Sequence, residues 1–147
     1  MIRFTGSLKV DQAPDVVFAL LSDMAELHQW NPNVTGSHQT AGERLEPGSR
    51  YESTIARGPI RMTARSELVA VEPGRKVTYE GSIGRFWSVD SLTFEPSGEG
   101  TLITFHNETT TPILLRPLVP LMNAAFQGQA RKAVEGARQY LVNRSSD

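Results

Sequence analysis

The sequence contains no cysteine, which excludes disulfides, thiol nucleophiles and thiolate-ligated metals. It also lacks any apolar run near the ~20 residues that cross a bilayer as a helix, so no stable membrane insertion is expected. The opening segment MIRFTGSLKV alternates apolar and polar residues instead of presenting the continuous apolar stretch of a signal peptide. The expected location is therefore the cytoplasm. In that setting the N-x-S/T triplets at Asn33, Asn107 and Asn143 are chance occurrences. Charge of one sign is scarce as well. Fifteen Lys and Arg oppose sixteen Asp and Glu, for a formal net charge of -1, which offers no general attraction to nucleic acid or an anionic membrane. Catalytic signatures are missing too: there is no G-x-S-x-G, Walker loop, H-E-x-x-H or dinucleotide-binding glycine fingerprint. His28, His38 and His106 have no metal-ligand spacing. Neither a metal nor a cofactor is expected.

What is present is ordinary for a globular chain of 147 residues, with 39% hydrophobic and 21% charged residues. That length suits one domain over residues 1–147 with a real core. Ile2, Phe4, Leu8 and Val10 share one parity, the period of a half-buried strand. Pro14 suits the first turn of a helix, with Asp11 placed to cap it. A second short helix from Met24 to about Trp30 ends at Asn31-Pro32. From Val34 to Thr111 the pattern is about six strands. They are punctuated by turn residues at Gly42, Pro47-Gly48, Gly58-Pro59, Pro73-Gly74, Gly84 and Pro96 to Gly100. Pro117 and Pro120 bound the last segment, and Leu121 to Asn143 carries an apolar stripe of Phe126, Ala130, Ala133, Val134, Ala137 and Leu141.

The expected class is α+β: a curved antiparallel sheet of about seven strands around a long C-terminal helix, with two short helices after the first strand. Accumulated twist curls such a sheet. The long helix, about 33 Å for some 22 residues, is the one large amphipathic element able to cover its concave side. A single helix is too thin to fill that hollow, so a cavity is expected between them.

The same order and local words resemble the START-like (SRPBCC) superfamily, which includes birch-pollen-type allergens, START lipid carriers and polyketide cyclases. The words are Ala13-Pro14-Asp15-Val16-Val17-Phe18-Ala19-Leu20-Leu21-Ser22-Asp23, Trp30-Asn31-Pro32, Val71-Glu72-Pro73-Gly74-Arg75, Phe94-Glu95-Pro96 through Gly100-Thr101, and Arg116-Pro117-Leu118. Within it the chain looks most like the bacterial polyketide cyclase/dehydrase-like group. The resemblance implies a helix-grip fold with an internal cavity for an apolar ligand. These words are structural, so it says little about activity.

Phe86, Ser88, Asp90, Leu92 and Phe94 share a parity. If that parity faces the hollow, Asp90 is a carboxylate in apolar surroundings, whose raised pKa would suit acid–base work. Pairing with an Arg, or a bulge near Gly84 that turns it outward, are the plainer readings. On the next strand Ile103 and Phe105 form the stronger apolar pair and are expected inward, which leaves His106 outward. The opposite register would bring His106 toward Asp90. Tyr51 and Tyr79 either aim hydroxyls into the hollow or pack their rings with hydroxyls at its rim. Met62, Met122 and Phe126 are expected as lining, small Ala64 and Ala125 would leave space, and Trp30 is a lid anchor or a gate. Gln129 is either a polar cavity contact or a solvent-facing side chain. Arg116, Arg131, Lys132, Arg138 and Arg144 read as a solvated basic face. The expected ligand cavity is thus Trp30, Tyr51, Met62, Tyr79, Phe86, Asp90, Leu92, Phe105, Met122, Phe126 and Gln129. Two functions are consistent with it: binding of a lipid or polyketide-like small molecule by a monomer or homodimer, and a cyclase, aromatase or dehydratase reaction in the same cavity.

Overall fold

In the computed structural model, which describes residues 1–57 and 59–145, the chain begins with β1 (Ile2–Val10) and α1 (Pro14–Leu21). A 3-10 turn (Met24–Glu26) leads into α2 (Leu27–Trp30). The meander follows: β2 (Val34–Ala41), β3 (Arg50–Arg57), β4 (Ile60–Glu72), β5 (Lys76–Ile83), β6 (Phe86–Ser97) and β7 (Gly100–Thr110). A 3-10 segment (Ile113–Leu118) then opens α3 (Val119–Ser145). Pro120 is tolerated because its missing N–H falls in the first turn of α3. The helix is 27 residues long, about 40 Å at 1.5 Å per residue.

The strands form one seven-stranded sheet in the order β1-β7-β6-β5-β4-β3-β2, with antiparallel pairs throughout. Its two edges, β1 and β2, are joined by only α1 and α2, a connection that a sheet curled by its own twist allows. The turns at Pro47-Gly48 and Pro73-Gly74 form as their residues predict, with φ of +96° at Gly48 and +75° at Gly74. One sequence expectation fails here. Asp11 does not cap α1: Ala13 is the capping residue and no side chain bonds there, while Asp15 accepts a hydrogen bond from the neighbouring Val16 amide at 3.0 Å.

Burial divides the molecule along its length. Leu8, Val17, Leu21, Phe94, Ile103 and Leu141 are buried together beneath α1 and the C-terminal half of α3, with Phe18 edge-on to Phe94 at 5.4 Å. This is the closed end, a solid core. The helix packs against α2 at a glycine. A Cβ at Gly136 would stand 2.2 Å from the Trp30 carbonyl oxygen and 2.7 Å from Pro32, so α2 and α3 touch through backbone. Toward its N-terminus the same helix changes character: Met122, Phe126, Gln129 and Ala130 are only half-buried.

Candidate functional site

Directly paired residues of an antiparallel sheet lie on the same face, so the register alone maps the concave wall. Phe94, Ile103 and Leu8 form a row at the closed end, and Val77, Leu92, Phe105 and Gly6 form the next. Then come Leu68, Tyr79, Asp90, Asn107 and Phe4, followed by Ser66, Gly81, Ser88, Thr109 and Ile2. Ala64, Ile83 and Phe86 continue toward the open end, with Met62 beyond. The wall therefore passes from large aliphatic and aromatic residues, through one carboxylate, to a floor of small side chains.

Asp90 stands at that boundary and faces inward, on the parity of Phe86 and Leu92; no bulge falls within β6. Its Oδ1 accepts a hydrogen bond from Asn107 Nδ2 at 2.6 Å. Asn107 Oδ1 in turn accepts from the Thr109 hydroxyl at 2.7 Å. Thr109, itself buried, thus fixes the amide of Asn107 with its N–H toward Asp90. Asp90 is solvent-exposed, although many protein atoms lie around its carboxylate. Both hold for a group on the inward face of the sheet toward its open end, where the neighbouring side chains are only half-buried. The surrounding protein displaces bulk water and raises the Asp90 pKa above the ordinary carboxylate value. The Asn107 hydrogen bond and the nearby His106 pull it the other way without overcoming that effect.

The inward-facing Met62, Ala64, Ser66, Phe86 and Ser88 are likewise only half-buried although they look toward the helix. Sheet and helix meet across this space through Phe86 and Phe126, whose rings lie 5.9 Å apart and inclined at 50°. Met62 lies beside the β5–β6 turn, 3.8 Å from where a Gly84 Cβ would stand.

The other expected cavity residues lie deeper. Tyr51 and Tyr79 are buried, with rings 5.8 Å apart and edge-on. The Tyr79 hydroxyl donates to the Ser22 carbonyl, so it is neither aimed at a ligand nor wetted at a rim. The Tyr51 hydroxyl has no well-formed hydrogen bond among the described residues. Ser49, the Leu45 backbone and Tyr79 surround it. Burial raises both phenol pKa values, and Asp23 adds to the shift. Leu92 and Phe105 belong to the core, as does Trp30, which packs on Phe105 with ring centroids 6.1 Å apart. Trp30 Nε1 is buried and has no partner among the described residues. Ile103 and Phe105 point inward, while His106 lies on the outer face with Nδ1 2.8 Å from the Thr5 hydroxyl. Gln129 is half-buried, and its carbonyl accepts from Asn33 Nδ2 at 2.9 Å.

Asn107 and Thr109 escape a reading that stops at the apolar pair Ile103 and Phe105. Carrying the same parity four residues further finds both. Gly81 has no such signal. A Cβ there would stand 2.1 Å from the Arg65 carbonyl oxygen, so the close approach of β4 and β5 admits only glycine.

A separate groove of about 450 Å³ opens on the convex face, between side chains that include Arg50, Arg65, Glu67, Glu80 and Trp87. Its charges pair across strands, Arg50 with Glu67 at 3.3 Å and Arg65 with Glu52 at 3.0 Å. It is a crease between surface ion pairs, on the opposite side of the sheet from Asp90. Among the described residues no cluster of His, Asp or Glu is grouped to hold a metal ion, and no helix is long and apolar enough to cross a membrane.

A family model described as polyketide cyclase/dehydrase and lipid transport matches residues 1–142. No curated protein matches. Among solved structures, TTHA0849 from Thermus thermophilus superposes with a TM-score of 0.78 at 17% identity, over 97% of this chain and 99% of that one. The di-domain ARO/CYC protein StfQ of the steffimycin biosynthetic pathway gives 0.76 at 17% identity, over 99% of this chain and 52% of its own. A START superfamily protein from Mycobacterium smegmatis gives 0.71 at 15% identity, over 97% and 95%. At these identities the likeness is one of fold.

Proposed function

Because the chain belongs to the polyketide cyclase/dehydrase and lipid transport family, we propose that it binds an apolar or aromatic small molecule, lipid or polyketide-like, between its sheet and α3. The observation that carries this reading is the composition of the inward face at the open end. Met62, Phe86, Met122 and Phe126 supply apolar surface that remains half-accessible, over a floor kept low by Ser66, Gly81 and Ser88. A mostly apolar recess with a few convergent polar groups is how small-molecule sites are built. Here those groups are Asp90 and Asn107, held in register by Thr109. An oxygenated group on the ligand would meet them, and the hydrocarbon part would lie along Phe86 and Phe126. The expected ligand contacts are therefore Asp90, Met62, Phe86, Met122, Phe126 and Gln129. Trp30, Tyr51, Tyr79, Leu92 and Phe105 form the support behind the wall.

Native mass spectrometry of the purified protein, followed by titration with fatty acids, polyketides and aromatics, tests this. A co-purified small molecule or saturable binding is expected. Absence of binding across the panel would overturn the reading.

A second reading is enzymatic, and the raised pKa of Asp90 favours it. A carboxyl group that holds its proton closer to neutrality can donate to a carbonyl oxygen or accept from an adjacent carbon, and Asn107 would hold it in one orientation. In that case the reaction is an enolisation with ring closure or water loss. The helpers expected from the sequence do not serve, since the Tyr79 hydroxyl is engaged by Ser22 and Tyr51 lies in the core. Turnover of a poly-ketone substrate that survives Asp90→Asn unchanged would remove Asp90 from any such mechanism.

A further inference from the structure

We propose that the open end of the molecule, where β7 passes into α3, is a docking surface for an anionic lipid bilayer. The sheet brings three places to this end: the start of β4, the β5–β6 turn and the 3-10 segment before α3. Contacts tie them together, since Met62 lies beside Gly84, Phe86 meets Phe126, and Trp87 pairs with Thr110.

Large aliphatic side chains stand out into solvent here. Ile113 is 72% exposed, Leu114 84% and Leu121 75%, with Leu118 exposed on the same segment and Ile60 at the start of β4. Isolated exposed leucines need no explanation, but a cluster on one protruding segment does. Trp87, half-exposed at the start of β6, adds an aromatic of the kind that sits at headgroup depth.

One carboxylate, Glu108, lies near this end and is paired with Arg3 at 3.0 Å; the remaining charge there is basic. Arg61, Arg85 and Arg116 are exposed, and among the described residues none forms a salt bridge. The stretches 56–64, 83–89 and 109–134 contain no Asp or Glu. The turns at the opposite end carry Asp11, Glu43, Glu46 and Glu99, against Arg44 and Arg75. A net charge of -1 thus conceals a molecule with a basic, apolar end and an acidic one. Basic groups beside aliphatic tips are what an anionic bilayer attracts and then accommodates. Two copies of this end would bring like charges together, which argues against self-association through it.

The full chain, purified, is mixed with vesicles of phosphatidylcholine alone or of phosphatidylcholine with phosphatidylglycerol, and bound protein is read by co-sedimentation and by a blue shift of Trp fluorescence. Binding to the mixed vesicles is expected, weaker on phosphatidylcholine alone and weaker at high salt. Arg61→Ala and Arg116→Ala should each lower partitioning about fivefold. The double substitution Leu114→Ser and Leu121→Ser should lower it further with thermal unfolding unchanged, because both side chains are already exposed. No binding to mixed vesicles at low salt would overturn the proposal, as would folded variants that bind like the parent chain. So would a dimer in sizing experiments that the double Leu variant splits, since a second copy would then be the occupant. The assay needs no ligand in the hollow, so it succeeds or fails independently of the ligand-binding reading.

Discussion

Asp90 combines two properties that ordinarily exclude one another, access to water and a raised pKa. Its position on the inward face at the open end of the sheet reconciles them, and the consequence is measurable. A raised native pKa means that the folded state prefers the protonated acid. The associated stability is full below the ordinary carboxylate value near 3.8 and is lost as pH rises through the raised value. Asparagine cannot ionise, and its side-chain oxygen can still accept from Asn107. Asp90→Asn should therefore melt close to the parent protein at pH near 3.5 and at a higher temperature at pH 7, by thermal denaturation at both pH values. An equal difference at the two pH values would show that ionisation of Asp90 costs the fold nothing. Asn107 holds Asp90 through one hydrogen bond, and Thr109 holds Asn107 through another. Thr109→Val removes the hydroxyl that orients the amide while nearly preserving volume. It should weaken binding of an oxygenated ligand several-fold and leave an all-hydrocarbon ligand unaffected, a split that calorimetric titration of both ligands resolves. In the sequence, Asp90 is visible from strand parity alone, whereas its partners emerge only once the register is known, because a one-residue slip would have put His106 in their place.

Elements are legible where periodicity is strong and illegible where backbone approaches backbone. The alternation in β1, the turn residues of the meander and the Pro-bounded start of α3 each carry a local physical cause, and the strands and long helix follow from them. The seat of α3 has no such local cause. It is set by Gly136, where a Cβ would enter the Trp30 carbonyl and Pro32, and by the crossing over β1, where a Cβ on Gly6 would stand 3.4 Å from Val134. A glycine within a helix reads as a weak point from sequence, since it costs about 1 kcal/mol against alanine. Here tertiary packing reverses that sign. Gly136→Ala should destabilise the protein by about 1–3 kcal/mol despite the better helix propensity of alanine, as overpacking does. Gly128, with open space around it, is the matched control on the same helix, and Gly128→Ala should be neutral or stabilising. Chemical denaturation of the two variants gives the comparison, and a stabilised Gly136→Ala would mean that α2 yields to α3 freely.

At the scale of the molecule, the one helix that closes the sheet does two different things along its length. Toward its C-terminus Ala137 and Leu141 are fully buried against the core, whereas toward its N-terminus Met122 and Phe126 keep part of their surface free. The sequence stripe treats these positions alike, because an apolar residue at helical spacing looks the same whether it faces a packed core or a hollow. The same ambiguity on the strands groups Leu92, Phe105, Tyr51 and Tyr79 with the expected cavity in sequence, although in the fold they are buried in the core. Stability and ligand affinity should therefore separate. Leu141→Ala leaves a void in a close-packed region and should cost about 2–5 kcal/mol of folding stability, with little effect on affinity in whatever fraction remains folded. Phe126→Ala removes a ring already half-exposed and paired chiefly with Phe86. Its stability cost should be smaller, under about 2 kcal/mol, because less transfer energy is lost and no closed cavity is left. Its effect on affinity should be the larger of the two, since the ligand loses an aromatic surface on the helix side of the recess. Urea denaturation and ligand titration of both variants test the division directly. If Phe126→Ala proved as destabilising as Leu141→Ala and left binding untouched, the open end would be core, and the ligand site would have to lie elsewhere on the sheet.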